Sequence, residues 1–103
     1  MIKPGVGFKE LTFDGSIPDV DTYRHYTVQF HGVGLCDDYP AIYFPEDWEE
    51  GGNDGFIEEG MVLTVESYVG RNDGGEGVKL EDQLLVTDTG CELLSSYPID
   101  LLR

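Results

Sequence analysis

The chain has 103 residues, 40% of them hydrophobic, with 21 acidic residues against 6 basic and a formal charge of −15. That length holds one small domain or a piece of a larger one, and it buries roughly two-thirds of its unfolded surface. The acidity excludes a phosphate-backbone reader, which needs a basic face, so no nucleic-acid partner is expected; it serves solvation, or the attraction of cations and cationic substrates.

No secretory leader is expected, because Met1-Ile2-Lys3-Pro4-Gly5 breaks before any apolar run begins. No stretch approaches the roughly 20 apolar residues of a membrane helix, so no membrane partner is expected. Cys36 and Cys91 lie far apart, without disulfide or zinc spacing. Free thiols in a reducing cytoplasm follow as the expected state.

In chain order, Pro4-Gly5 and Phe8-Lys9-Glu10-Leu11 predict a short helix that Asp14-Gly15-Ser16-Ile17-Pro18 ends. Residues 16–24 read as a polar loop. Tyr26-Thr27-Val28-Gln29-Phe30 is β-rich and runs into His31, after which Gly32 and Gly34 let the backbone turn or approach something closely. Residues 35–55 read as a long excursion, with turns at Asp37-Asp38-Tyr39-Pro40 and Phe44-Pro45-Glu46-Asp47 and a solvated tip at residues 49–55. Phe56 to Gly60 sets up the strongest strand, Met61–Val69. Alternation there places Val62, Thr64, Glu66 and Tyr68 on one face and Met61, Leu63, Val65, Ser67 and Val69 on the other. A glycine-rich connection leads to a second strand, Val78–Thr87, in which Lys79, Glu81, Gln83 and Leu85 share a face. The two strands predict an antiparallel ribbon that sets Glu66 beside Glu81. Asp88-Thr89-Gly90 turns the chain, Cys91–Leu94 makes a short last strand, and Pro98–Leu102 reads as a packed tail.

His31, Glu66 and Glu81 are the candidate metal ligands. A neutral imidazole and two carboxylates suit a small divalent cation such as Mn, Fe, Co or Zn. Read singly, each glutamate is equally a surface carboxylate on a strand. Read together, Glu66 is a charge inside an apolar run, costly unless paired or metal-bound, and two adjacent carboxylates repel unless one is protonated or a cation lies between them. Asp37 and Asp38 are either turn formers before Pro40 or a general base beside the metal. Cys36 has no Cys–His pairing at a readable spacing that would make it a nucleophile. His25 is disfavoured as a ligand by its strand phase, which matches Thr27 and Gln29, although that phase also holds His31. Of the aromatics near this segment, Tyr26, Tyr39 and Trp48 are the candidate substrate-binding residues, as a cation–π wall for a cationic substrate. Gly74-Gly75-Glu76-Gly77 lacks the Lys-Ser/Thr and the strand-to-helix context of a phosphate loop.

The ordered strings His31-Gly32-Val33-Gly34-Leu35, Glu58–Glu66 and Gly77–Asp82 followed by Val86–Gly90 resemble the C-terminal half of the M24 metallopeptidase-like family. Its members include aminopeptidase P, prolidase, methionine aminopeptidase and creatinase types. The resemblance covers most of the chain from Lys3 onward. It implies an α+β architecture: the C-terminal half of a pita-bread fold, mostly antiparallel β-sheet with one short helix, forming a partial catalytic domain over residues 1–103. It implies a dinuclear divalent-metal site bound through two Asp, one His and two Glu. His31, Glu66 and Glu81 match the last three, and the two Asp would lie upstream of Met1. The peptidases continue the glycine string to a second His and carry Glu-Pro at the first glutamate. Here Cys36-Asp37-Asp38-Tyr39-Pro40 and Glu66-Ser67 stand in those places. That departure looks more like the M24-like dimethylsulfoniopropionate lyases, which release dimethyl sulfide and acrylate by β-elimination, and it implies Asp37 as base with Asp38 in reserve. A fragment of an Xaa-Pro peptidase and a metal-free binding half-domain are the alternatives. The expected isolated chain is inactive on its small-molecule substrate and self-associates as a homo-oligomer through exposed sheet surface.

Overall fold

A computed structural model of the chain describes residues 2–14 and 19–96. The expected tail at Pro98–Leu102 lies outside them. Nine elements follow in chain order: helix α1 (Phe8–Asp14), β1 (Tyr23–Arg24), β2 (Val28–Val33), β3 (Asp37–Tyr43), a 3-10 turn (Pro45–Asp47), α2 (Trp48–Gly51), β4 (Val62–Arg71), β5 (Gly77–Val86) and β6 (Cys91–Leu93). The strands form one antiparallel sheet in the order β3-β2-β4-β5-β6, with β1 paired to the far end of β4.

The expected ribbon is its centre. β4 and β5 pair from Val62↔Leu85 to Gly70↔Gly77, with Glu66 directly opposite Glu81. The connection is tight, and Gly74 adopts φ +99° in it, a conformation that costs a side-chain-bearing residue energy. Period-two alternation then separates two faces. One carries Leu63 and Leu84, paired across the ribbon, with Phe30 beside Val65. These pack with Val6, Phe8, Leu11, Ile42, Ile57 and Val86 into the hydrophobic core. α1 docks there through Phe8, Leu11 and Thr12, at the i, i+3, i+4 spacing of one helix stripe. The N-terminal segment is tied down by Gly5 N–H donating to the Ile57 carbonyl (2.9 Å) and Ile57 N–H to that of Val6 (2.8 Å).

The structure departs from the expected elements in two places. Residues 35–55 are not a plain excursion: they contain β3, the 3-10 turn and α2, so the described residues hold two short helices instead of one. Pro40 argues against a strand because it cannot donate to a ladder, but β3 is an edge strand and is bulged there, with Gly32 pairing Asp38 and His31 pairing Ala41. Ile42, fully buried, anchors it to the core. Within residues 16–24, read as loop, Tyr23 and Arg24 pair with Arg71 and Gly70.

Candidate metal centre

The face of the sheet away from the core carries the site. Adjacent strands in register bring side chains opposite each other, and His31 pairs across β2–β4 with Thr64, two residues before Glu66. His31 Nε2 lies 3.3 Å from Glu66 Oε2, 3.9 Å from Glu81 Oε1 and 3.7 Å from Asp37 Oδ1. One ligand atom from each of His31, Glu66 and Glu81 falls within 4.8 Å of the other two, the only such grouping of three metal-ligating side chains among the described residues. His31 and Glu66 are nearly covered, while Glu81 is 41% exposed. Gly32 makes the β2–β3 bulge possible, since a Cβ there would collide with the Tyr39 carbonyl.

The donor set fits a divalent ion. His31 Nδ1 donates to the Gly32 carbonyl at 3.0 Å, an arrangement that fixes the imidazole and would leave Nε2 free to face a metal ion. That Nε2 looks at three carboxylates, which calls for a proton or a metal ion between them. Oxygen and nitrogen ligands about 2.0–2.2 Å from an ion stand roughly 3–4 Å from one another, the spacing seen here.

The cation that sequence reasoning asked for between the two glutamates is present as Lys79. Its Nζ lies 2.7 Å from Glu66 Oε1 and 3.5 Å from Glu81 Oε2. The hydrogen bond to Glu66 holds its ammonium above the ordinary lysine range. Strand alternation puts Lys79 on the Glu81 face but gives it no role; its place two residues before Glu81 and opposite Tyr68 is the signal for it. Thr64 was also missed. It is fully buried and its Oγ1 has no hydrogen-bond partner, beside His31.

A cavity of about 720 Å³ opens next to the cluster, lined by His25, Tyr26, Thr27, Val28, His31, Asp37, Asp38, Tyr39, Ala41 and Glu66. Tyr26, Tyr39, Asp37 and Asp38 therefore meet at one opening with His31 and Glu66. Trp48 does not join them: it lies on α2, edge-on to Phe13 at 6.2 Å, with Lys9 Nζ 6.0 Å from its ring. Its face is occupied by packing, so it is placed away from the cavity that Tyr26 and Tyr39 line. His25 lines the cavity wall but faces Glu46 at 3.3 Å and packs on Phe44, outside the metal-ligating group. Cys36 and Cys91 are free and exposed.

The sequence profile of metallopeptidase family M24 matches residues 1–88. The chain belongs to this family. Across 97% of its length the M24 chain is 45% identical to the dimethylsulfoniopropionate lyase DddP of Roseovarius nubinhibens and 40% identical to that of Roseobacter denitrificans. It covers 23% of each of those proteins. Prolidase from Pyrococcus furiosus has the same fold over 94% of the chain and 28% of its own length, at TM-score 0.64 and 27% identity. The M24 chain thus spans about a quarter of the relatives it matches, and its sheet is part of the pita-bread architecture of these enzymes. Members of the family generally depend on divalent metal.

Proposed function

We propose that this chain is part of an M24-like, metal-dependent lyase that cleaves a sulfonium carboxylate such as dimethylsulfoniopropionate. The carrying observation is Asp37. Its carboxylate, 83% exposed and 3.7 Å from His31 Nε2, borders the cavity on the Cys36–Pro40 segment, which departs from the peptidase pattern. A carboxylate bordering the opening beside His31 meets the first requirement of a general base, reach to a substrate held there.

In this reading His31, Glu66 and Glu81 hold the metal, in a dinuclear site completed by residues outside the chain. The ion, when bound, holds the substrate carboxylate and offsets charge that develops next to it. Asp37 Oδ1 removes the proton α to that carboxylate. The C–H electron pair becomes the new double bond, the Cβ–S bond breaks with its pair leaving on sulfur, and dimethyl sulfide and acrylate separate. Asp38 stands by at the same opening. Tyr26 and Tyr39 offer ring faces to the sulfonium, and the chain's charge of −15 draws a cationic substrate toward them. The lyase relatives support this reading over hydrolysis.

The test uses a protein that completes the domain. Dimethyl sulfide release from dimethylsulfoniopropionate is expected, with Asp37→Asn slowing it by about 10²–10⁴-fold, the ordinary worth of a general base. Faster hydrolysis of an X-Pro dipeptide would favour the second reading, an Xaa-Pro peptidase, which the prolidase likeness supports. Absence of metal binding would leave a metal-free binding half-domain. The 103-residue chain alone is expected to be inactive and to self-associate through exposed apolar residues including Val78, Leu93 and Leu94. A monodisperse monomer with strong turnover would refute that. No helix among the described residues is long and apolar enough to cross a membrane, and a cytoplasmic setting remains part of the proposal.

A further inference from the structure

Tyr26 lines the cavity from the irregular stretch between β1 and β2, where no strand pairing fixes it. Its ring is held by Tyr68 instead. The two rings stack with centroids 5.0 Å apart and planes 17° from parallel. Tyr68 stands on β4, paired to Lys79 across the ribbon, and does not itself line the cavity. Its place is set by its neighbours. Arg24 Nη2 donates to the Tyr68 hydroxyl at 3.3 Å, with the guanidinium 6.0 Å from the ring. Arg24 Nη1 donates in turn to the Arg71 carbonyl. Gly77 leaves the room, since a Cβ there would stand 2.5 Å from the Tyr68 hydroxyl oxygen. Lys79 Nζ, 2.7 Å from Glu66 Oε1, reaches to 5.4 Å from the Tyr26 ring centroid. One rung of the ribbon, Tyr68 with Lys79, thus ties Tyr26 to the metal-ligating glutamate.

We infer that Tyr68 is a positioning residue for recognition of the substrate's cationic end: it acts through Tyr26, holding that ring ready for the onium group of a substrate whose carboxylate lies at the metal. This deepens the lyase reading above and rests on it. The physical basis is direction and entropy. A cation is attracted to an aromatic ring over its face, within about 6 Å of the centroid. A tyrosine free to turn about its side-chain torsions presents that face only part of the time, and binding then costs the freedom lost. Stacking on Tyr68 covers one face of Tyr26 and fixes its plane, so the other face is set before a substrate arrives. The Lys79 ammonium is balanced by Glu66 and Glu81, so the rung adds no net positive charge against an incoming cation. An uncharged group of the same shape gains contact area from such a ring but no electrostatic attraction. Tyr68 should therefore favour a cation over its neutral isostere without touching either.

The test uses a protein that completes the domain and two competitive inhibitors of one shape: the trimethylammonium analogue of dimethylsulfoniopropionate, and its isostere with carbon in place of the charged nitrogen. Wild type is expected to bind the ammonium inhibitor more tightly than the isostere. Tyr68→Leu should weaken the ammonium inhibitor about tenfold, the scale of one cation–π contact, and leave the isostere within about twofold. KM for dimethylsulfoniopropionate should rise in step while kcat holds, a split that general loss of structure would not give. Tyr68→Phe keeps the stack and should match wild type. Tyr26→Leu should show the same selective loss, and adding Tyr68→Leu to it should cost nothing further, since the two rings act as one unit. Arg24→Gln, which loosens Tyr68 from outside the cavity, should give a smaller selective loss and serves where Tyr68→Leu does not fold. Unchanged inhibition in these variants, equal weakening of both inhibitors, additive losses in the double variant, or a wild type without preference for the ammonium overturns the inference, while dimethyl sulfide release leaves the lyase reading standing. A wild type that releases no dimethyl sulfide overturns both together.

Discussion

The two faces of the β4–β5 ribbon come from the same alternating residues and are ordered by different forces. On the core face, Leu63 and Leu84 lie opposite one another, almost free of solvent, and are held by contact and by exclusion of water. On the site face, Glu66 and Glu81 lie opposite one another and are held by Lys79 and His31. The first arrangement is mutually attractive without any added charge. The second is repulsive until a cation supplies the balance, as the Lys79 ammonium does here.

Substitutions on each face should separate these roles. Leu63→Ala, in the middle of the core, should cost about 3 kcal/mol by urea denaturation, within the range for buried leucines that leave a cavity. A loss below about 1 kcal/mol would mean that the core face is not the seat of stability. His31→Ala should do the reverse: Mn(II) affinity falls by about 100-fold or more, in keeping with loss of a direct ligand, while the urea midpoint moves far less than in Leu63→Ala. Comparable destabilisation by both would erase the contrast. Thr64→Val tests the boundary between the faces. Its buried hydroxyl has no partner, so the apolar replacement should stabilise the chain by about 1 kcal/mol. A clear loss would show that the hydroxyl is engaged when the protein is in solution.

The smallest effect concerns pH. The Glu66 partner raises Lys79 above its ordinary value, so folding stabilises the protonated ammonium. That contribution is complete below the ordinary lysine value of about 10.4 and fades as pH rises through the raised one. The difference in urea midpoint between wild type and Lys79→Met should therefore shrink above about pH 10.4. A gap that stays constant to higher pH would assign it to packing of the lysine stem.

Much of this architecture was legible along the chain because period-two alternation is local. It was enough to place Glu66 with Thr64 and Tyr68, to put Lys79 with Glu81, and to join the two strands as an antiparallel ribbon. The helix at Phe8–Asp14 was legible from Phe8-Lys9-Glu10-Leu11 after Pro4-Gly5 and from the stop at Asp14-Gly15-Ser16-Ile17-Pro18. The ordered strings around His31, Glu66 and Glu81 also carried the family. What remained hidden depended on neighbours. Tyr39-Pro40 reads as a turn by itself and joins a strand only because that strand is a bulged sheet edge pinned by Ile42. Trp48 reads as a candidate cavity aromatic until a short helix turns it onto Phe13. The amino-acid sequence by itself determined which residues share a face and which chemistry they can perform. Only the tertiary structure decided which cation balances the paired carboxylates and which aromatics reach the opening, because charge balance and access depend on distances across strands that no local pattern encodes.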